Sequence, residues 1–308
     1  GTGGAKLLDF GVADETAWLA PFLTTVGMVT DALAMDVDND SWPDIVLVGE
    51  WMPVTVLRNE QGKRLATPVA IQSAGWWNRI EKADLDGDGD EDLVVGNFGR
   101  NCQLKPTENE PVTLTYADFD QNESIDPFLS YYIQGTSYPM ATRDEALNQL
   151  FALRRKFTTY HAYADATLAQ LLTAEQLKLA DTLQAVQFAS GVLENRGSGT
   201  FTWHELPIEA QFAPVYAIAL LDVDKDGQKD LLLAGNQSNA RLKIGRMDAN
   251  YGQLFHNEGH CRFTYVSQLT SGFVVKGDVH DILVIGQGEN ERVLFGRNND
   301  TIQIYRKK

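Results

Sequence analysis

The sequence predicts an all-β chain built by repetition. Three observations carry that expectation: a unit of apolar strand, aspartate-rich loop and second apolar strand that occurs four times, a later hairpin turn with Asn and Gly at fixed places, and strand following strand with no helix between. Radial repetition of short four-stranded sheets protects strand edges. The expected architecture is therefore a β-propeller of about five four-stranded blades with a helical insertion, a single domain over residues 1–308.

The first unit pairs residues 32–36 with 45–49, the second 80–84 with 93–96, the third 112–118 with 128–133 and the fourth 216–222 with 231–235. The hairpin turn appears as Asn59 with Gly62, Asn195 with Gly197 and Gly199, and Asn257 with Gly259. Both residue types tolerate the positive φ of tight turns. A last unit, 278–286, 292–295 and 301–305, keeps the strands and lacks the aspartates. It supplies three strands, and residues 6–10 are expected to supply the fourth and close the ring. Between 142 and 184 the pattern changes to helix. Thr142 with Glu145 and Thr173 with Gln176 have the form of capping boxes, and Leu147, Leu150, Phe151, Leu153, Phe157, Leu168, Leu171 and Leu172 recur at helical spacing. This stretch reads as a helical insertion within the third blade that caps one face of the ring.

The loops carry the chemistry. Positions one, three, five and nine hold Asp36, Asp38, Asp40 and Asp44 in the first, Asp84, Asp86, Asp88 and Asp92 in the second, Asp118, Asp120, Asn122 and Asp126 in the third, and Asp222, Asp224, Asp226 and Asp230 in the fourth. Alternate residues of a tight loop converge on one centre. Position seven adds a backbone carbonyl from Trp42, Asp90, Ser124 or Gln228. Calcium takes six to eight hard oxygen ligands, so the expected cofactor is up to four Ca²⁺ ions. Carboxylates crowded on a short loop repel one another without a cation, which makes each ion structural. The competing reading, solvated turn-forming aspartates, loses force with fourfold recurrence. An EF-hand is excluded because it needs flanking helices and a Glu at position twelve, where these loops have Leu47, Val95, Leu129 and Leu233.

A net charge of −16 disfavours nucleic acid and anionic membrane surfaces, which need a cationic face. Four Ca²⁺ ions would halve it. No run of about 18 apolar residues appears, so no membrane insertion by this segment is expected. The chain starts at Gly1-Thr2-Gly3-Gly4 without an initiator Met, and it reads as a processed or excised fragment whose export signal would lie upstream. Cys102 and Cys261 form one disulfide or none.

The run from Asp84 to Gly96 and its partner from Asp222 to Gly235 resemble the FG-GAP/VCBS repeat, which builds the calcium-bearing propeller of integrin α subunits and many bacterial surface proteins. Gly49-Glu-Trp-Met-Pro53, Gly75-Trp-Trp77, Arg143-Asp-Glu145 and Gly296-Arg-Asn-Asn-Asp300 further resemble exported Bacteroidetes FG-GAP proteins of the ASPIC/UnbV-like kind. The resemblance implies an extracellular, periplasmic or cell-surface location and no defined activity.

No nucleophile elbow, P-loop or dinucleotide fingerprint is present. His256 and His260 have zinc-pair spacing but fall on the repeated hairpin turn, not on a helix, and His161, His204 and His280 are isolated. Trp51, Trp76, Trp77, Tyr131, Tyr132, Tyr138 and Tyr160 have rings that would stack on sugars, against a simpler role as core. Arg154-Arg155-Lys156 reads as a solvated helix face. The expected function is a non-enzymatic, calcium-stabilised surface module recognising a protein or a glycan. A polysaccharide lyase or hydrolase and a structural spacer are the alternatives.

Overall fold

The computed structural model describes residues 25–239 and 243–306. Residues 6–10, the expected closing strand, lie outside them. The described chain is all-β, with five antiparallel sheets. The closed ring of about five blades is not seen among the described residues.

The first sheet holds β1 (Met28–Met35), β2 (Asp44–Leu57) and β3 (Val69–Trp76). β2 turns back on itself. Asn59 N–H donates to the Asp44 carboxylate over 2.7 Å, whereas a straight strand of this length would hold its ends about 45 Å apart. The reversal falls at Trp51, whose φ is +60°. The first half of β2 then pairs with β1 and the second half with β3.

The second sheet is interrupted in sequence. β4 (Arg79–Ala83) and β5 (Asp92–Gly96) are joined by β10 (Gly191–Asn195) and β11 (Phe201–Glu205), with β10 paired directly to β5. The whole third sheet, of β6 (Val112–Ala117), β7 (Asp126–Ile133), β8 (Thr136–Pro139) and β9 (Asp181–Ala185), lies between β5 and β10 in the chain. The Asn195 turn, which follows the third loop in sequence, therefore belongs to the second sheet. The fourth sheet runs β12 (Val215–Leu221), β13 (Asp230–Gly235), β14 (Gln253–Asn257), β15 (Phe263–Val266), and the fifth β16 (Val279–Ile285), β17 (Arg292–Arg297), β18 (Gln303–Arg306).

Alternation decides how the sheets stack. Leu93 and Val95 of β5 enter one core with Val46 and Val48 of the first sheet, while Val94 enters another with Leu231 and Leu233 of β13. Leu232 and Ala234 face a third core, with Ile282, Val293 and Phe295 of the fifth sheet. Strands buried on both faces read as unbroken apolar runs, which is why Leu93-Val-Val and Leu231-Leu-Leu carry no polar alternation. The sheet order is thus first, second, fourth, fifth, with β9 of the third sheet packed against β2 and β3. Arg79 of β4 ion-pairs with Asp31 of β1 and Asp281 of β16 at 3.4 and 3.3 Å, so the leading strands of three sheets converge.

The glycine closing the first, second and fourth units has a steric reason. A Cβ at Gly49, Gly96 or Gly235 would lie 2.2, 2.8 or 1.8 Å from the carbonyl oxygen of Met28, Val215 or Pro214. No side chain fits there.

Between β8 and β9 the chain forms short helices. The helix at Arg143–Gln149 has the capping box of Thr142 and Glu145, and that at Ala174–Leu179 has the box of Thr173 and Gln176. Leu147, Leu150, Leu153, Phe157, Leu171 and Leu172 pack on Phe119 and Phe128 of the third sheet's loop and strand. No helix among the described residues is long and apolar enough to cross a membrane.

Candidate metal centres

All four aspartate loops connect the two strands of a β-arm, and their backbones are equivalent. Positions four and six take positive φ in each: Asn39 and Ser41 (+60°, +71°), Gly87 and Gly89 (+84°, +97°), Gln121 and Glu123 (+60°, +66°), Lys225 and Gly227 (+69°, +95°). Five of these eight residues are not glycine. Each non-glycine left-handed residue costs on the order of 1 kcal/mol, which the loop's own bonding must offset.

That bonding is repeated. The position-one carboxylate spans the bend: Asp36 accepts from the N–H groups of Asp40 and Ser41 (3.0, 2.7 Å), Asp84 from Gly87 and Gly89 (2.7, 3.1 Å), Asp118 from Asn122 and Glu123 (3.0, 2.9 Å), and Asp222 from Lys225 and Gly227 (2.6, 3.1 Å). Position five accepts from the N–H of position seven, so Asp40, Asp88, Asn122 and Asp226 hold Trp42, Asp90, Ser124 and Gln228 at 2.8 to 2.9 Å. The Asp90 side chain itself turns toward the first loop and accepts from Asn39 Nδ2 at 3.0 Å.

Position nine is different in kind. Asp44, Asp92, Asp126 and Asp230 are only 1%, 0%, 4% and 2% exposed. Each accepts at one oxygen from the N–H of position two, that is Val37, Leu85, Phe119 and Val223, at 2.9 to 3.1 Å. In three of them the other oxygen accepts from a turn asparagine: Asn59, Asn195 and Asn257 at 2.7, 2.8 and 3.0 Å. Burial pushes the Asp92 carboxyl up to about 6, against the pull of these N–H donors, and moves Asp44 and Asp126 in the same direction.

Two of the turn asparagines also tie sheet to sheet. Asn195 Nδ2 donates to the Val37 carbonyl of the first loop at 3.4 Å, and Asn257 Nδ2 to the Leu85 carbonyl of the second at 3.0 Å. In the third loop the equivalent carbonyl, of Phe119, is taken by Gln176 Nε2 from the helical insertion at 2.8 Å. The insertion does for that loop what a neighbouring hairpin does for the first two.

Within each of the first three loops, carboxylate oxygens of Asp36, Asp38 and Asp40, of Asp84, Asp86 and Asp92, and of Asp118, Asp120 and Asp126 lie within 4.8 Å of one another. In the fourth, Asp224 and Asp230 are joined by His256 Nδ1, 3.1 Å from Asp230 and 3.5 Å from Asp224. Asp38 Oδ1 is buried without a hydrogen-bond partner. Burial, then the Asp88 and Glu194 carboxylates beside it, raises Asp86. An orphaned buried oxygen and crowded carboxylates are the donor set a hard divalent cation fits. The ligands would be the side chains at positions one, three, five and nine with a carbonyl at position seven, and a bound ion would supply the charge compensation that the carboxylates lack.

One participant, Glu194, was not singled out from sequence. Glu194 is buried and bonded to His204 Nε2 and Arg196 at 2.6 and 2.8 Å. Cys261 of the fourth sheet's turn lies 3.5 Å from Asp92. Cys102 and Cys261 are both free thiols. The signal for the turn residues was present as a recurring x-Asn at the end of a strand, two or three residues before Gly. His280 stacks on Tyr216 at 5.2 Å, and Trp76 and Trp77 are buried in the core, whereas Tyr160 is exposed and donates to Asp144. A cleft of about 740 Å³ opens between β11 and the turn before β15, lined by Trp203, His204, Glu258, Cys261, Arg262 and Phe263 among others.

Repeated aspartate loops between antiparallel strands, closed by a glycine, define a repeat protein of a known class. Residues 36–95 match the FG-GAP-like repeat family, and the chain carries that repeat. The other two loops show the same geometry outside the matched residues. The narrower likeness to exported Bacteroidetes proteins is not among what the comparisons show. No curated protein matches the chain. Among solved structures it is similar to the V. cholerae biofilm matrix protein Bap1, with 10% identity and a TM-score of 0.34 over 91% of this chain and 63% of that one. It is similar also to the NanB sialidase from Streptococcus pneumoniae, with 7% identity and a TM-score of 0.38 over 89% of this chain and 48% of that one. An Agrocybe aegerita lectin that recognises non-reducing terminal N-acetylglucosamine has 16% identity and a TM-score of 0.23 over 91% of this chain and 67% of that one. The chain spans less than two thirds of the length of the first two.

Proposed function

We propose that this chain is a calcium-stabilised, propeller-type binding module of the cell surface or extracellular space that recognises a protein or a glycan. The observation that carries the reading is the recurring loop geometry, in which aspartates of each loop lie together, joined in the fourth by His256, and a buried position-nine Asp bolts the loop to the adjoining strands. Convergence of β1, β4 and β16 on Arg79 supports a radial arrangement of the sheets. Extracellular millimolar Ca²⁺ fills oxygen-rich loops of modest affinity, which supports a location outside the cell. The cleft beside Trp203 and Arg262 favours a binding module over an inert spacer, because a spacer has no need of a concave surface with aromatic and charged groups.

A thermal melt with and without EDTA, followed by a glycan-array screen of the Ca²⁺-loaded protein, tests the reading. Chelation is expected to lower Tm, and a glycan hit is expected to vanish in Trp203→Ala and Arg262→Ala. An unchanged melt on chelation overturns the calcium assignment. A hit that both variants retain moves the binding surface away from this cleft.

A further inference from the structure

Three sheets place one residue immediately before the turn asparagine, and each time it faces the position-three carboxylate of its own loop. The residue differs. Arg58 Nη1 lies 2.8 Å from Asp38. Glu194 has a carboxylate oxygen within 4.8 Å of Asp86. His256 Nδ1 lies 3.5 Å from Asp224. The third loop has no counterpart, because β8, the strand beside β7, runs on into the helical insertion and not into such a hairpin turn.

We propose that this residue sets the order in which the loops take up a divalent cation, Arg58 making the first loop the weakest of the three and Glu194 making the second the tightest. The inference rests on the calcium reading above and concerns what distinguishes loops of equal backbone geometry. Arg58 is fixed at both ends, by Asp38 and by the Ser198 carbonyl at 3.3 Å on the second sheet's turn. A held guanidinium compensates one loop carboxylate and repels an incoming cation. Asp38 still offers its second, unpartnered oxygen, so the site is weakened and not abolished. Glu194 acts the opposite way. Its side chain is 4% exposed, and although Arg196 pairs with it at 2.8 Å, it sets a buried carboxylate beside Asp86 where the first loop has a cation beside Asp38. His204 also bonds Glu194, at 2.6 Å, and a Glu194 carboxylate oxygen still lies within 4.8 Å of Asp86. The fourth loop receives an imidazole nitrogen, a poorer partner for calcium than a carboxylate and without the permanent charge of a guanidinium.

Competition with a fluorescent chelator gives the stepwise Ca²⁺ constants, and native mass spectrometry counts the ions. Arg58→Gln is expected to tighten one of the stepwise constants by about tenfold and leave the tightest unchanged. Glu194→Gln is expected to weaken the tightest step by a similar factor. Because Glu194 is buried, its variant risks misfolding, and the half-exposed Arg58 keeps the test sound. If Arg58→Gln leaves every step where it was, or shifts every step alike, the proposal is overturned while the calcium reading stands. Failure of the unaltered protein to take up any Ca²⁺ overturns both.

Discussion

Replacing Asn257 by Ala measures the tie between the second and fourth sheets. The Asn257 side chain is fully buried; its Nδ2 donates to the carbonyls of Leu85 and Lys229 at 3.0 and 3.1 Å, and its Oδ1 accepts from Gly259 N–H at 2.9 Å. Truncation removes three bonds worth about 1 kcal/mol each and leaves at least one backbone group unpaired away from water, so the expected loss is about 3 to 4 kcal/mol. Asn59 is the internal control. It makes bonds to the Pro43 carbonyl and from Gly62 N–H within its own sheet, at 3.0 and 2.7 Å, in a position that water reaches. Asn59→Ala should cost about 1 kcal/mol. Urea unfolding followed by tryptophan fluorescence, in EDTA so that no metal contributes, gives both numbers. Equal losses for the two variants would refute the idea that the turn asparagine bonds sheet to sheet, because only Asn257 of the pair makes that bond.

Other expectations follow from the same frame. In the calcium-free protein the folded pKa of Asp92, about 6, stands above its ordinary 3.8, so protonation favours the folded state; the contribution is present below about pH 4 and is lost as pH rises through 6. Melts across pH 4 to 7 in EDTA should show a decline, at most about 3 kcal/mol, that Asp92→Asn lacks, and parallel curves would contradict it. The Cys261 thiol is buried and pushed far up by burial, then by the Asp92 and Glu194 charges, so a disulfide-exchange reagent should label it only after denaturation. Rapid labelling of Cys261 in the native protein would mean that the turn does not seal the second loop. Trp77→Ala should cost about 3 to 5 kcal/mol, since the ring is fully buried against Trp203, while Tyr160→Ala on the exposed insertion should change stability by less than about 1 kcal/mol. Similar losses for both would place Trp77 outside the core.

The loops were the most legible part of the chain. Alternate aspartates, the Gly-bearing bends at Gly87, Gly89 and Gly227, and the apolar strands on either side are all local patterns. The first and third loops show the limit of that reading, because Asn39, Ser41, Gln121 and Glu123 take the same left-handed backbone without a glycine to announce it. The repeated bonds from positions one and five hold them there. Turn asparagines were legible as turn formers and not as anchors, since the bond that matters joins Asn257 to Leu85, 172 residues earlier. Trp76 and Trp77 are core, as aromatic residues on strands usually are.

The sequence by itself determined the repeat, the strand class and the acid chemistry of the loops, because each depends on residues within about ten positions of one another. Only the tertiary structure decided which strands share a sheet. The third sheet and its helices interrupt the second, so that Asn195 reaches Asp92 across 103 residues and β10 completes a sheet begun at β4. Apolar alternation identifies a strand's two faces and says nothing of which neighbour covers each. For the same reason Arg58, Glu194 and His256 carry no signal of their own in the chain. They acquire a role when strand pairing sets each of them opposite the carboxylate at position three.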